Sequence, residues 1–327
     1  MIGDVEGLRR RLDAEFGAAR IEPHKALAPM TTFKVGGPAD LFFEPRHSAE
    51  IVTALQIACQ SGRVPVTMLG GGSNVLVADA GIRGLVLRPR GGHIVSEGDA
   101  VRADAAVTIN GLVRWLITHG LAGLEAWAGT PGTVGGGIYG NAHWGGRLLS
   151  EFVRAVRLAS RDGDVLDVPV SEMGFGYDRS RLQSSGEVLL SALFSVTPGD
   201  PERLRDTARE SLHYRKRTQP LASPSAGCIF QNPDRTVTLP PDVPYSAGAL
   251  IDRAGLKGAR EGDAEVSPTH ANFIVNRGHA TAADIRALIG RCQRAVADRF
   301  GVALLEEIVY LGDFGAEPGG TRVDTAH

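Results

Sequence analysis

The chain has 327 residues, 42 of them glycine, and a formal net charge of −2 with 22% charged residues. That length accommodates two or three domains and a sizeable core, and the near-neutral balance gives no sign of a nucleic-acid or membrane partner. The 3 cysteines lie far apart, which argues against a disulfide framework and a zinc site, so no metal is expected. The opening MIGDVEGLRRRLDAEF is charged where a signal peptide needs an apolar run, and no apolar stretch reaches membrane-spanning length. A soluble, cytoplasmic protein is expected.

Val5, Leu8, Leu12 and Phe16 keep helical spacing behind Asp4, an N-cap residue. DLFFEP (40–45) reads as a strand, and 48–62 as a helix capped by Ser48 and stopped by Gly62. VPVTML (64–69), VLVAD (75–79) and GLVLRP (84–89) read as strands, and the strand–helix–strand order gives a small α/β unit with parallel pairing. From about residue 93 the texture changes. AVRADAAVTI (100–109) reads as strand, NGLVRWLITHG (110–120) as helix, and 153–169 as a hairpin turning at Asp162-Gly163. EVLLSALFSVTP (187–198) is a further strand, and 200–217 a polar helix with Pro201 in its first turn. TQPLASPSAG (218–227) is the most linker-like passage, and a domain boundary is placed near it. Beyond it come a helix over 246–255, a strand in HANFIVN (270–276), a long helix between Thr281 and Gly301, and a last strand in VALLEEIVYLG (302–312). Residues 313–327 lack apolar periodicity and read as a disordered tail.

Two loops hold the unusual glycines. In LGGGSNVLV (69–77), consecutive glycines either make a tight hairpin or turn successive N–H groups inward as a nest for an anion such as a pyrophosphate. It is neither a Walker loop nor a Rossmann fingerprint, because no Gly-Lys-Ser/Thr and no helix follows. The second loop, AGTPGTVGGGIYGNAHWGG (128–146), carries 8 glycines and too few large side chains for a core of its own. Long loops in compact domains are usually functional. Together the two loops favour a dinucleotide cofactor.

Two further stretches carry chemistry. Cys59 and Cys292 fall in helices and read as small buried hydrophobes. Cys228, in PSAGCIFQNP (224–233), lies where a loop turns into a strand, and either packs like them or serves a reaction. In the last strand, alternation puts Glu306 on the face of Leu304 and Glu307 on that of Leu305, so one of the two acids should point inward. An acid there is costly unless paired or useful.

TTFKVGGPADLFFEP (31–45), LGGGSNVLVADAGIRGLVL (69–87), GLEAWAGTPGTVGGGIYGNA (123–142), PSAGCIFQNP and GLKGAREGDAEVSPTHANFIVN (255–276) resemble, in family order, the UDP-N-acetylenolpyruvoylglucosamine reductases of the second, shorter type. The resemblance runs from about residue 30 to residue 312. It implies a mixed α/β and α+β fold. Residues 1–200 would form an FAD-binding region of the vanillyl-alcohol-oxidase type, with two α/β subdomains meeting near residue 90. Residues 201–312 would form a smaller α+β substrate-binding domain. It further implies FAD, non-covalent because Ser73 and Asn74 follow the first glycines, and NADPH as hydride donor. The acceptor would be UDP-N-acetyl-3-O-enolpyruvylglucosamine, reduced to UDP-N-acetylmuramate for peptidoglycan, and the enzyme is expected to be a monomer.

Carried over by motif, Thr32, Val35, Gly36, Gly70, Gly71, Gly72, Ser73 and Asn74 would cradle FAD from one side. Gly129, Thr130, Pro131, Gly132, Thr133, Gly136, Gly137, Tyr139 and Asn141 would do so from the other. Cys228 stands where the family usually has the proton-donating serine, and an unperturbed thiol, with a pKa of about 8.5, is a competent donor. Water is the alternative donor. The family's catalytic glutamate falls on Glu307, counting back from Gly312, and a one-residue slip would exchange it for Glu306. The family's Tyr-Arg-x-Ser reads Tyr177-Asp178-Arg179-Ser180 here, so Asp178 occupies the arginine position and the neighbouring Arg179 is assigned to the enolpyruvyl carboxylate. Tyr177, Asn232, Lys257 and His270 would bind the sugar nucleotide. Gln231 replaces the usual lysine, and Arg215, Lys216 or Arg217 could supply the missing charge. A sugar or alcohol oxidase on the same fold, or a flavin-binding protein without chemistry, are the alternatives.

Overall fold

The structure is a computed structural model and describes residues 4–315; the expected tail, from residue 316 on, lies outside the described residues. α1 (Val5–Phe16) starts as expected, with the Asp4 carboxylate accepting the Gly7 amide at 2.7 Å and Leu8 and Leu12 buried. β1 (Ile21–Ala26) pairs antiparallel with β2 (Pro38–Phe43). It went unread because only Ile21 of its six residues is buried, so an edge strand left no alternating pattern. In α2 (Ser48–Gln60) Ser48 is the first helical residue rather than the cap. His47 holds the cap position without a side-chain bond, and Glu50 accepts the Arg46 amide at 2.7 Å instead. β3 (Val66–Met68), β4 (Val75–Val77) and β5 (Ile82–Leu87) follow. β5 pairs parallel with both β2 and β3, giving the sheet order β1-β2-β5-β3. α1 and α2 cover one face of this sheet, setting Leu8, Leu12, Ile51 and Leu55 against Leu41, Phe43, Leu85 and Leu87.

The second unit is an antiparallel sheet built from β6 (Ile94–Glu97), β7 (Ala100–Asp104), β8 (Val153–Ala159), β9 (Val165–Pro169) and β10 (Val188–Ser195), in the order β9-β8-β10-β7-β6. α3 (Ile109–Thr118) and α4 (Val134–Tyr139) pack on it. α4 corrects the reading of residues 128–146 as loop throughout. Thr133 caps it by accepting the Gly136 amide, and Val134 and Ile138 are buried in the core. Glycine's poor helix propensity hid it. α5 (Pro201–Thr218) also departs from expectation. Leu204 and Ala208 lie in the same core as α3 and β10, so this helix packs with the second unit, and a division at residue 201 would cut one core in two.

The third unit holds α6 (Ala247–Arg253), the small antiparallel sheet of β11 (Arg260–Glu261), β12 (Ala264–Val266) and β13 (Ile274–Asn276), and α7 (Ala282–Phe300) between its Thr281 cap and Gly301. It is latched to the first. Phe33, Val35 and Leu76 complete its core, Asn276 donates to the Phe33 carbonyl at 3.0 Å, and Asp79 accepts the Ala282 and Ala283 amides at the start of α7. The last strand is shorter than the sequence suggests. Only β14 (Val309–Leu311) forms it, parallel to β4, while Glu306 makes a single bridge to Phe230. The hairpin reading of residues 69–77 fails for the same reason, since β3 and β4 belong to different sheets. No described helix is long and apolar enough to cross a membrane.

Candidate active site

A cavity of about 1760 Å³ is lined by residues of all three units. Pockets for a single drug-sized ligand are about 300–1,000 Å³, so this one has room for more than one small ligand.

One wall is backbone. Thr32 holds the first glycine loop by donating its amide and its hydroxyl to the Gly72 carbonyl, at 2.9 and 3.2 Å. A Cβ on Gly71 would stand 2.7 Å from the Cα of Gly132, so the two glycine loops touch main chain to main chain. The amides of Gly70, Gly71, Gly72 and Ser73 have no partner among the described residues. Such a run of free N–H groups fits a diphosphate. Thr32, Gly70, Gly71, Gly72, Ser73 and Asn74 line the cavity from one side, and Gly129 to Thr133, Gly136, Gly137 and Tyr139 from the other. Three expected contacts do not. Val35 is buried in the third unit's core, Gly36 packs against Val77, and Asn141 is wholly buried, donating to the Gly176 carbonyl at 2.7 Å and accepting the Ser150 amide at 2.9 Å. They shape the loops from behind.

The opposite wall is made of side chains. The segment after Gly227 is clamped on both sides. Asn272 accepts the Phe230 amide and donates to the Phe230 carbonyl, Ile229 accepts the Glu307 amide at 2.8 Å, and Gln231 donates to the Leu305 carbonyl at 2.9 Å. This clamp brings Cys228 and Glu307 into the same cavity. Glu306 turns away, accepting from Gln293 at 3.1 Å and bonding the Tyr310 hydroxyl. Cys228 is half-buried. Desolvation, reinforced by the charges of Glu307 and Asp178, pushes its thiol up to about 12, so the unperturbed value expected from sequence does not hold. Burial and the charge of Asp178 push the Glu307 carboxyl up to about 8, against a downward pull from His143. His143 Nδ1 lies 3.1 Å from Asp178 Oδ1, and this contact holds the imidazole above its ordinary range despite burial.

Arg179 is exposed and lines no part of the cavity. Asp178 has a positive φ of 50°, and Gly176 and Arg179 bridge across the turn, which sends the aspartate inward and the arginine out. Lys34, Arg63, Arg161 and Arg217 line the cavity with exposed side chains, and the buried cation on its wall is Arg215. It is 5% exposed, with its guanidinium carbon 3.3 Å from the centre of the Trp144 ring and Nη2 donating to Thr130 at 2.7 Å. Burial lowers it to about 10, and its Nε has no partner. The basic run YRKR was its only signal. Tyr177 does not line the cavity but lies beside His143, its hydroxyl 3.4 Å from His143 Nε2 and bonded by the Asn232 backbone. His270 lines the cavity. Asn232 and Lys257 do not; the first accepts the Ala247 amide at the start of α6, the second pairs with Asp252 at 2.6 Å. His143 was missed and Asp178 was noted only as a departure, because no spacing relates residues 143, 178 and 307.

Comparison with known proteins agrees with this architecture. The FAD binding domain family matches residues 39–169, and the C-terminal domain of UDP-N-acetylenolpyruvoylglucosamine reductase matches residues 219–311. The chain is 38% identical over 300 residues to the UDP-N-acetylenolpyruvoylglucosamine reductase of Synechococcus sp., covering 91% of this chain and 93% of that one. The chain belongs to the UDP-N-acetylenolpyruvoylglucosamine reductase family. A second such reductase, from Symbiobacterium thermophilum, is 39% identical over 90% of this chain and 92% of its own. The crystal structure of the UDP-N-acetylenolpyruvylglucosamine reductase from Thermus caldophilus superposes with a TM-score of 0.75 at 33% identity, over 89% of this chain and 99% of that one. Membership makes the chain an FAD-containing oxidoreductase, and the glycine wall with its free amides fits that cofactor.

Proposed function

We propose that this chain reduces the enolpyruvyl ether of UDP-N-acetylglucosamine to UDP-N-acetylmuramate, a peptidoglycan precursor, with NADPH as the hydride source. The observation that carries this reading is the meeting of Cys228 and Glu307 on one wall of a cavity whose other wall is the glycine nest. FAD, when bound, supplies the hydride chemistry, while the protein supplies placement and charge.

What remains is for the chain's own groups. Hydride addition to a carbon conjugated with a carboxylate leaves the neighbouring carbon in need of a proton. The Cys228 thiol, held protonated across neutral pH by its surroundings, is the donor. The clamp through Asn272 and the Glu307 amide fixes the position of its sulfur. Glu307 marks the end of the cavity where the enolpyruvyl group lies. His270 on the wall, with Tyr177 behind His143, encloses the sugar nucleotide, and Arg215 offers its unpartnered Nε to an anionic part of a ligand.

A single-turnover experiment tests this. The holoenzyme is reduced anaerobically with NADPH, mixed with the enolpyruvyl UDP-sugar, and followed by flavin absorbance. Wild type and Cys228→Ser reoxidise, while Cys228→Ala slows by about 10²–10⁴-fold, the usual contribution of a positioned acid. An alanine variant as fast as wild type would place the donor elsewhere, and a wild type that stays reduced would remove the reductase reading.

A further inference from the structure

Asp178 and Glu307 face the same cavity, and among the described residues neither has a lysine or arginine within ion-pair distance. Among the described residues, the basic side chain that meets them is His143. The Asp178 side chain is 8% exposed, and its second oxygen, Oδ2, is buried without any partner. One donor atom each from His143, Asp178 and Glu307 lie within 4.8 Å of one another. An imidazole and two carboxylates, brought from three distant segments to one point with one oxygen left unsatisfied, form a donor set that lacks its cation.

We propose that His143, Asp178 and Glu307 bind a first-row divalent cation, such as Mn²⁺ or Zn²⁺, whose remaining coordination positions receive the carboxylate of the acceptor. Bonds of about 2.0–2.2 Å to such an ion bring three donors to within roughly 3–4 Å of each other, so small rotamer changes close the present spread. A mixed imidazole and carboxylate set suits these ions, and three protein ligands leave positions open for an exogenous one. The exogenous ligand follows from the reaction. Negative charge builds on the acceptor's carboxylate during hydride addition, yet the position where the family resemblance leads one to expect arginine is an aspartate here. Without a cation, the acceptor's carboxylate would meet Asp178 and a Glu307 carboxyl that already resists ionisation beside it. The ion reverses the sign of that end of the cavity, while Arg215 remains on the Trp144 face. The identity of the exogenous ligand rests on the function proposed above; the ion site does not.

The test uses the full-length FAD holoenzyme, dialysed against chelator and titrated with Mn²⁺ while the free ion is followed by electron paramagnetic resonance. One ion per chain is expected, displaced by Zn²⁺, with affinity at least about 10-fold weaker in Asp178→Asn and in His143→Gln at unchanged flavin content and circular dichroism. If those variants misfold, electron spin echo on wild type decides, because a histidine ligand shows nitrogen coupling to the bound Mn²⁺. Absence of that coupling, no stoichiometric ion at millimolar Mn²⁺, or unchanged affinity in both variants overturns the site. The oxidised holoenzyme is then titrated with the enolpyruvyl UDP-sugar, and binding is read from flavin absorbance. The ion should tighten binding at least about 10-fold in wild type and leave Asp178→Asn unaffected. An acceptor affinity indifferent to the ion overturns the bridging role. If the acceptor fails to bind under any condition, it is the function reading that falls, and the Mn²⁺ titration still decides the ion site.

Discussion

The glycine wall of the cavity and its acid wall reach the same ligands by opposite means. On the first, main chain does the work: residues 70–73 and 129–133 are each contiguous, and a missing Cβ at Gly71 lets one loop lie on the other. On the second, side chains from residues 143, 178, 228, 270 and 307 meet only because the tertiary fold brings them together. A wall of main chain tolerates no added atoms. A wall of side chains tolerates shape changes but depends on which charges face which.

Five substitutions separate these behaviours. The largest effect belongs to Gly71→Ala, whose new methyl would press on the Gly132 main chain, which cannot step aside as a flexible side chain would. The variant should purify without flavin and without activity, read from the ratio of visible to ultraviolet absorbance. Retention of full flavin content would show that the loops can part. Next comes the pair of adjacent acids. Glu307→Gln should lower kcat by about 100-fold or more, whereas Glu306→Gln, outside the cavity, should stay within about threefold; each loss converts at about 1.4 kcal/mol per tenfold. Equal losses in the two would mean that the clamp, not the cavity, sets the role of this strand.

Asn272→Ala tests the clamp itself. It leaves the buried Phe230 amide and carbonyl without their side-chain partner, at a cost of about 3 kcal/mol in denaturant-monitored stability, with Cys228-dependent turnover falling in parallel. The smallest effect contrasts an acid that has its cation with those that lack one. Glu50, 12% exposed, is bonded to Arg20 at 2.7 Å, chiefly by which its carboxyl is lowered to about 2. Its folded pKa lies below its unfolded one, so its contribution is complete above about pH 4.5 and disappears as pH falls towards 2. Screened by solvent at this partly exposed pair, that contribution is about 1 kcal/mol. Arg20→Gln should therefore flatten the acid limb of the stability–pH curve between those limits.

Legibility from sequence followed the same division. α1, α3, α7, the presence of parallel pairing in the first unit and the first glycine loop could be read directly, because each is local and periodic or compositionally unusual. Cys228 and Glu307 were found through motif resemblance, and the fold brings them to the cavity. Arg179 was misplaced because a positive φ at Asp178 reverses which of two neighbours points inward, and nothing in a Tyr-Asp-Arg-Ser run announces that turn. Val35 and Gly36 were assigned to the cofactor because their motif borders it. Val35 closes the third unit's core instead, and Gly36 lies against Val77. His143 lies within the second glycine loop but gains meaning only beside residues 178 and 307. Lys257 and Asn232 match motif positions, and their polar atoms are already taken by Asp252 and the Ala247 amide.

The parallel pairing of β14 with β4 has a consequence for how the molecule comes into being. The strand that leads out of the first glycine loop waits for a partner more than two hundred residues further along the chain. During synthesis, therefore, the nest exists as sequence long before it exists as a surface. The strand on which the nest ends gains its sheet partner only after the ribosome has delivered the segment that carries Glu307. Order of assembly thus ties the strand behind the nest to completion of the reactive end.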